Sequence, residues 1–200
     1  MKLIFASNNP HKLQELRSAI GSKLEIVSLK EAGIFQELPE PFPTLKENAR
    51  SKAKMISLLT GGENCFSEDT GLEVDVLGGE PGVHSARYAG EPPDPRNNVK
   101  KLLRAMTDSS NRRARFTTII CLILNGKEYF FEGRCEGQII RTPSGSNGFG
   151  YDPVFRPDGS DKSFAEMEEE EKNYYSHRRK AGDLLIAFLK TQTESIDGQS

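Results

Sequence analysis

Two strand-like runs, Arg115 to Leu124 and Glu128 to Ile140, meet at Asn125-Gly126, and no other feature of the sequence restricts the fold as tightly. Asn-Gly supplies the positive φ angles of a two-residue hairpin turn, so the runs are predicted to pair antiparallel. The start of the chain makes a different connection. Lys2 to Ala6 is a short run of strand formers, Leu13, Leu16 and Ile20 recur at helical spacing from Pro10 onward, and a second strand is predicted near Leu24 to Leu29. βα units followed by a long hairpin predict a mixed sheet flanked by helices, an α/β protein whose ligand cleft lies off the strand ends.

The proline-rich stretch Pro39 to Pro43 continues neither helix nor central strand. Thr44 to Glu47 then has the spacing of a capping box, Ala49, Ala53, Ile56 and Leu59 share one face of the helix it opens, and Gly61-Gly62 ends it. NCFSEDTGLEVDVLGG reads as a strand that meets an acidic turn and continues with Leu72, Val74 and Val76 alternating against Glu73 and Asp75. Asp94-Pro95 starts a helix through Leu102, Leu103 and Met106. The glycine-rich loop SGSNGFGYDP leads to a capped acidic helix starting near Ser163, and an amphipathic helix follows with Ala181, Leu184, Leu185, Phe188 and Leu189. From about Thr193 the chain is polar and is expected to fray. With 200 residues, 36% of them apolar, and no repeat or long linker, residues 1–200 are expected to form a single domain.

A formal charge of -2 argues against a surface built to coat nucleic acid, so any bound anion has to be met locally. The N-terminal apolar stretch is too short for a signal-peptide core and nothing approaches the length of a membrane span, which points to a soluble, cytoplasmic protein with no membrane partner. Cys65, Cys121 and Cys135 lie in or beside apolar strand-like runs without CxxC spacing, as buried free thiols would.

Two helix starts carry cations where the helix dipole disfavours them. At the first, Pro10 suits the first helical position, Asn9 or Asn8 the cap, and Lys12 sits in the opening turn, so Ser7, Asn8, Asn9 and Lys12 form a candidate cradle for a polyphosphate. The glycines of a P-loop are missing. At the second, Ser176 is the candidate cap and His177, Arg178, Arg179 and Lys180 crowd the turn behind it. Taken singly, each start also reads as an ordinary cap beside solvated cations. Glu68-Asp69-Thr70-Gly71 supplies carboxylates at a strand end, where Mg2+ or a water is well held. Alternation lets only one of Glu68 and Asp69 face the cleft, with Gly71 allowing a sharp turn; the pattern does not choose between them. Glu47 has two readings as well, a reach back to cap the backbone at its own helix start or a metal ligand pointing into the cleft.

SNNPHK, ENARSKA, SEDTGLEVDVLGGEPGVHSARYAG, NGFGYDPVF and EEKNYYSHR follow one another along almost the whole chain. Together and in this order they resemble the signature segments of the inosine triphosphate pyrophosphatase family. The resemblance implies two lobes on a long central mixed sheet with the active-site cleft between them, a homodimer and a Mg2+ requirement. Ser7, Asn8, Asn9 and Lys12 match the positions that grip the triphosphate, with Pro10 and His11 inside the same segment. Glu47 and Asp69 match the metal-binding carboxylates, Asp69 the presumed proton acceptor, and Thr70 a substrate contact. Phe149, Gly150, Tyr151 and Asp152 match the base-pocket loop, and Lys172, His177 and Arg178 match positions that contact base and phosphate. Glu68 departs from the family, where many members carry aspartate. The implied reaction is hydrolysis of purine nucleoside triphosphates such as those of inosine and xanthosine to monophosphate and pyrophosphate. A pyrophosphatase for modified pyrimidine or methylated nucleotides would use the same phosphate grip with another base pocket, and a non-catalytic nucleotide sensor would dispense with the carboxylates.

Overall fold

The structure, a computed structural model, describes residues 2–20 and 24–197, without the side chains of residues 19, 20 and 193–197. The long hairpin forms as expected: β5 (Arg113–Leu124) and β6 (Lys127–Ile139) pair antiparallel, and Asn125 and Gly126 take φ angles of 50° and 75°. Both angles are positive, as a type I′ turn requires. The opening βα units are present too. β1 (Lys2–Phe5) leads into α1 (Pro10–Ile20), and β2 (Glu25–Ser28) lies parallel to β1. After α2 (Leu45–Leu59), β3 (Cys65–Val74) runs parallel to β1 on one side and antiparallel to β5 on the other. β7 (Phe155–Pro157) extends the far edge beside β6, and the short β4 (Pro81–Gly82) pairs with β3, giving one mixed sheet in the order β2-β1-β3-β5-β6-β7.

Alternation along β5 assigns the two faces of this sheet. Ile119, Cys121 and Ile123 pack with Ala49, Ala53 and Ile56 of α2. Ile120, Leu122 and Leu124 pack on the opposite face with Leu16 of α1 and with Ala181, Leu185 and Leu189 of α5 (His177–Asp197). Further along that second face Ala114 and Phe116 join a third apolar cluster with Leu102 of α3 (Pro95–Ala105), with Met106 at its C-cap, and with Tyr151, Phe155 and Phe164. The face shared by α1, α5 and α3 therefore carries two apolar clusters, with Thr70 and Thr118 paired on the strands between them. Among the described residues no helix is long and apolar enough to cross a membrane.

The cleft arises from a gap in an edge. β1 pairs with β3 only at Cys65 and Phe66, and β4 takes up the same edge again at Leu72 and Glu73. Between them the β1-facing edge of β3 at Ser67 to Gly71 lies beyond the end of β1, where parallel sheets typically receive ligands.

Four expectations change. No turn interrupts the strand at Gly71, which is paired with Thr117 inside β3; glycine is needed because a Cβ there would stand 2.6 Å from the Gly82 carbonyl oxygen of β4. The alternation of this strand stops at Val74, since Asp75–Leu77 is a 3-10 turn that leaves Val76 half exposed. Ser163 does open a capping box with Glu166, but the box caps only the single turn Phe164–Glu166; Met167 is extended and α4 (Glu169–Tyr175) starts afresh. From Thr193, where the chain was expected to fray, the backbone continues α5 to Asp197; the side chains of residues 193–197, and residues 198–200, lie outside the described part.

Candidate active site

Register decides what alternation alone left open. Asp69 opposes Ile119 and Glu68 opposes Ile120, so the two neighbouring carboxylates project to opposite faces of the sheet. Asp69 meets α2. There Lys52 occupies a buried place on the same helix face as Ala49, Ala53 and Ile56, and its ammonium donates to Asp69 Oδ1 at 3.2 Å, Glu40 Oε1 at 2.5 Å and the Glu68 carbonyl at 2.7 Å. That carbonyl lies on the stretch of β3 past the end of β1, and a buried backbone acceptor has to find a partner.

Glu40 comes from the proline-rich stretch and stands beside Asp69 across Lys52. Burial pushes the Asp69 carboxyl up, Lys52 opposes this and Glu40 adds to it, leaving Asp69 at about 6 instead of 3.8. For Glu40 burial also acts upward, but Lys52 overrides it and the group ends below its ordinary value. Asp69 Oδ2 is buried and has no hydrogen-bond partner, alone in this among the buried side-chain polar atoms of the described residues. An unmet buried carboxylate oxygen is costly unless a ligand completes it. With Glu40 adjacent, the donor set fits a hard divalent cation that keeps most of its shell in water and phosphate oxygens.

Glu47 does not join this pair. It turns back to its own helix start, though to the Thr44 side chain and not to the backbone it was expected to cap: the Glu47 amide donates to Thr44 Oγ1 at 3.2 Å, the Thr44 hydroxyl donates to Glu47 Oε2 at 2.7 Å, and the residue is exposed. The helix start satisfies the carboxylate locally, and Glu40 is the glutamate that the fold brings to Asp69.

Glu68, on the other face, is fully buried between cations. Lys12 Nζ lies 2.8 Å from Oε1 and Arg178 Nε 2.7 Å from Oε2. Burial works to raise the Glu68 carboxyl, but Arg178 and Lys12 hold it well below the usual carboxylate range. Arg178 also pairs with Glu15 of α1, Glu15 Oε1 accepts from Lys172 Nζ at 2.7 Å, and Lys172 reaches Asp152 Oδ2 at 2.7 Å. Lys12, Glu68, Arg178, Glu15, Lys172 and Asp152 thus form an unbroken chain of alternating charge from the first helix start to the loop that carries Phe149 and Asp152. Burial favours the neutral form of Asp152 and leaves its carboxyl raised despite Lys172.

The helix starts behave as the caps predicted. Asn9 Oδ1 accepts from the amides of His11 and Lys12, Ser7 Oγ accepts from the Asn9 amide, and Asn8 Oδ1 accepts from the Lys30 amide. At the second start Ser176 Oγ accepts from the Arg179 amide. The basic crowd behind it disperses: burial depresses the His177 imidazole well below 6.5, Arg179 pairs with Asp183, Lys180 donates to the Arg134 carbonyl, and Arg178 alone of the four enters the charge chain. His177 Nδ1 accepts from the Arg178 amide at 2.9 Å, and its ring stands edge-on to Phe116.

Two cavities share Lys12. One, of about 300 Å³, is lined among others by Asn9, Thr70, Phe116, Phe149, Lys172 and Arg178; Gly150, Tyr151, Asp152 and His177 also border it. The other, of about 640 Å³, is lined by Ser7, Asn8, Glu40, Lys52, Glu68 and Arg87 among others. Phe149 stacks on His11 with ring centroids 5.1 Å apart, linking its own loop to the first helix. Its amide donates to Asp152 Oδ2, and the Tyr151 hydroxyl, donating to the Ser85 carbonyl, anchors the loop in the core. Thr70 Oγ1 lies 2.6 Å from Thr118 Oγ1. The three thiols are buried and free, Cys65 pushed up to about 11 and Cys121 and Cys135 to about 12 by burial, so they stay protonated at neutral pH.

Sequence reading missed Glu40, Lys52 and Glu15. Lys52 carried a signal, a cation at the centre of an apolar helical stripe, and Glu15 falls one turn after Lys12 on the same helix. Glu40 carried none, because an irregular segment between prolines has no period from which a direction follows.

Fold and site together define an α/β protein in which a pocket bordered by an aromatic ring and a cavity lined by Glu40 and Glu68 meet at a single lysine, a shape suited to a ligand with a flat end and a charged tail. The chain belongs to the Ham1 family, whose model matches residues 3–188. It is 52% identical to a dITP/XTP pyrophosphatase of Porphyromonas gingivalis over 189 residues, covering 94% of this chain and 97% of that one. Its identity to a dITP/XTP pyrophosphatase of Flavobacterium johnsoniae is 48%, covering 94% and 98%. Among solved structures, the Ham1 protein of Staphylococcus aureus superposes with a TM-score of 0.87 at 35% identity, covering 96% of this chain and 100% of that one.

Proposed function

We propose that the chain is a magnesium-dependent pyrophosphatase that hydrolyses non-standard purine nucleoside triphosphates, those of inosine, deoxyinosine and xanthosine, to the monophosphate and pyrophosphate. The observation that carries this reading is Asp69, a buried carboxylate with one unmet oxygen, raised to about 6 and joined through Lys52 to Glu40, which lines the larger cavity. The names of the relatives point to the same substrates.

In this reading Glu40 and Asp69 hold Mg2+, which when bound neutralises phosphate charge. Asp69 orients a water against the α-phosphorus and accepts its proton, and a base with a value near the working pH suits that task. Water adds to phosphorus as the bond to the bridging oxygen breaks, and pyrophosphate departs against Lys12 and the cap residues Ser7, Asn8 and Asn9. Lys172 and Arg178 offer only donors, which match the 6-carbonyl of hypoxanthine and xanthine and leave adenine's amino group unpaired. Phe149 supplies the stacking surface, from which His11 has to give way on one side. A homodimer and a cytoplasmic location belong to this reading through the resemblance of the whole chain to its family.

The test is a Mg2+-dependent assay of inosine, xanthosine, guanosine and adenosine triphosphates with the phosphate product identified. Pyrophosphate from the inosine and xanthosine substrates is the expected result, and release of orthophosphate overturns the reaction. Asp69→Asn is expected to lower kcat by about 10²-fold or more while nucleotide binding persists; a fully active variant removes Asp69 from the mechanism.

A further inference from the structure

We propose that Asn48 is a positioning residue that sets Glu40 as a metal ligand: it clamps the backbone of Phe42 to helix α2 and thereby fixes, through a stiff run of residues, where the Glu40 carboxylate stands. This rests on the reading above and deepens it by naming what holds a ligand that lies in an irregular segment.

Asn48 is fully buried in the stripe of α2 that carries Leu45, Ala49, Ala53 and Ile56, with Lys52 one turn further on. Asparagine is a poor helix former and its amide is costly to bury, so its place there calls for a partner. That partner is a single residue. Asn48 Oδ1 accepts from the Phe42 amide at 2.9 Å, and Asn48 Nδ2 donates to the Phe42 carbonyl at 3.1 Å. The ring of Phe42 contributes little anchorage, since the residue is 41% exposed, so the clamp on its backbone ties the segment down.

Two prolines carry the tie from Phe42 to Glu40. Pro41 and Pro43 have their own φ fixed by the ring, and each confines the residue before it, Glu40 and Phe42, to extended conformations. Few free torsions remain between clamp and carboxylate. Lys52 does not replace this tie: its ammonium ends a flexible stem, bonds three acceptors and would follow Glu40 if the segment moved. The frame is shared with Asp69. Ser67, two residues before Asp69 and on the same face of β3, donates through Oγ to the carbonyl of Ala49, next to Asn48. Helix α2 thus holds the strand of Asp69 and the segment of Glu40 in one register, which an ion with strict octahedral demands requires.

Mn2+ alone serves as the probe, because its free form is counted by electron paramagnetic resonance without any turnover. The full-length protein is compared with Glu40→Gln, Asn48→Ala, Pro41→Gly, the double variant of the last two, and Ile56→Val, a change on the same buried face that bears no clamp. Expected is Mn2+ affinity lowered about 10-fold or more in Glu40→Gln, about 10-fold in Asn48→Ala and about 3-fold or more in Pro41→Gly. The double variant should match Asn48→Ala within about 2-fold, because clamp and stiffness act in series, and Ile56→Val should bind as the wild type does. Pro41 is exposed, so Pro41→Gly carries the comparison should Asn48→Ala fail to fold. Normal affinity in Asn48→Ala or in Pro41→Gly, losses that add in the double variant, or an equal loss in Ile56→Val each overturn the proposal, while a weakened Glu40→Gln keeps the metal site. A Glu40→Gln variant that binds as the wild type does, or a wild type that binds no Mn2+, sinks the metal site itself and the proposal with it.

Discussion

Glu68 and Asp69 are adjacent in sequence and chemically similar, yet the sheet gives them opposite surroundings. Glu68 is enclosed by Arg178 and Lys12 and stays charged, while Asp69 is buried with less compensation and rises to about 6. A carboxyl raised above its unfolded value of 3.8 contributes stability below that value and loses it as pH rises through about 6. A metal competes with that proton. Mg2+ should therefore raise the melting temperature more at about pH 7.5 than at about pH 5, by roughly 2–4 °C for each kcal/mol of binding gained; equal gains at both values would place the ion elsewhere. At this scale the sequence showed what local chemistry announces. Asn9 and Ser176 act as the caps their spacing implies, and Lys12 does oppose a dipole for the sake of an anion, although in the structure that anion is Glu68. Glu40 stayed hidden because a segment fixed by prolines takes its direction from tertiary contacts, and Glu47 misled because a capping box and a metal ligand ask for the same residue.

Among the elements, α5 sets the precision of the site. Its first turn lies so close on β6 that a Cβ at Gly133 would stand 2.0 Å from the His177 carbonyl oxygen and 2.5 Å from the Ala181 amide. Gly133→Ala should push this turn off the sheet, draw Arg178 from Glu68, cost about 1–3 kcal/mol of stability and lower kcat/KM at least ~10-fold. Urea denaturation and steady-state kinetics check both, and a variant as stable and active as the parent would show that the contact is not restrictive. Elements with their own local signals were legible: the Asn125-Gly126 hairpin, the Thr44 helix and the helix capped by Asp94. Gly71 and Ser163 were misjudged for a shared reason. Glycine serves close approach as well as turns, and a perfect capping box does not say how long the helix behind it will be.

Across the whole molecule β5 runs through all three apolar clusters, so the halves of the sheet share one continuous strand. The α/β class with a mixed sheet followed from connection types alone, whereas the gap left on the edge of β3 depends on how far β1 and β4 extend, a matter of register that no periodicity encodes. Lys12 stands where the two cavities meet, sharing Glu68 with Arg178. A phosphate tail that draws Lys12 away leaves this carboxylate to Arg178 alone, so one end of a nucleotide changes the grip on the other. Base discrimination then becomes conditional: hypoxanthine and adenine nucleosides should bind with similar weakness, while their triphosphates separate widely. Calorimetry on these four ligands decides the point, since sharp sorting of the bare nucleosides would mean that the two ends are judged independently.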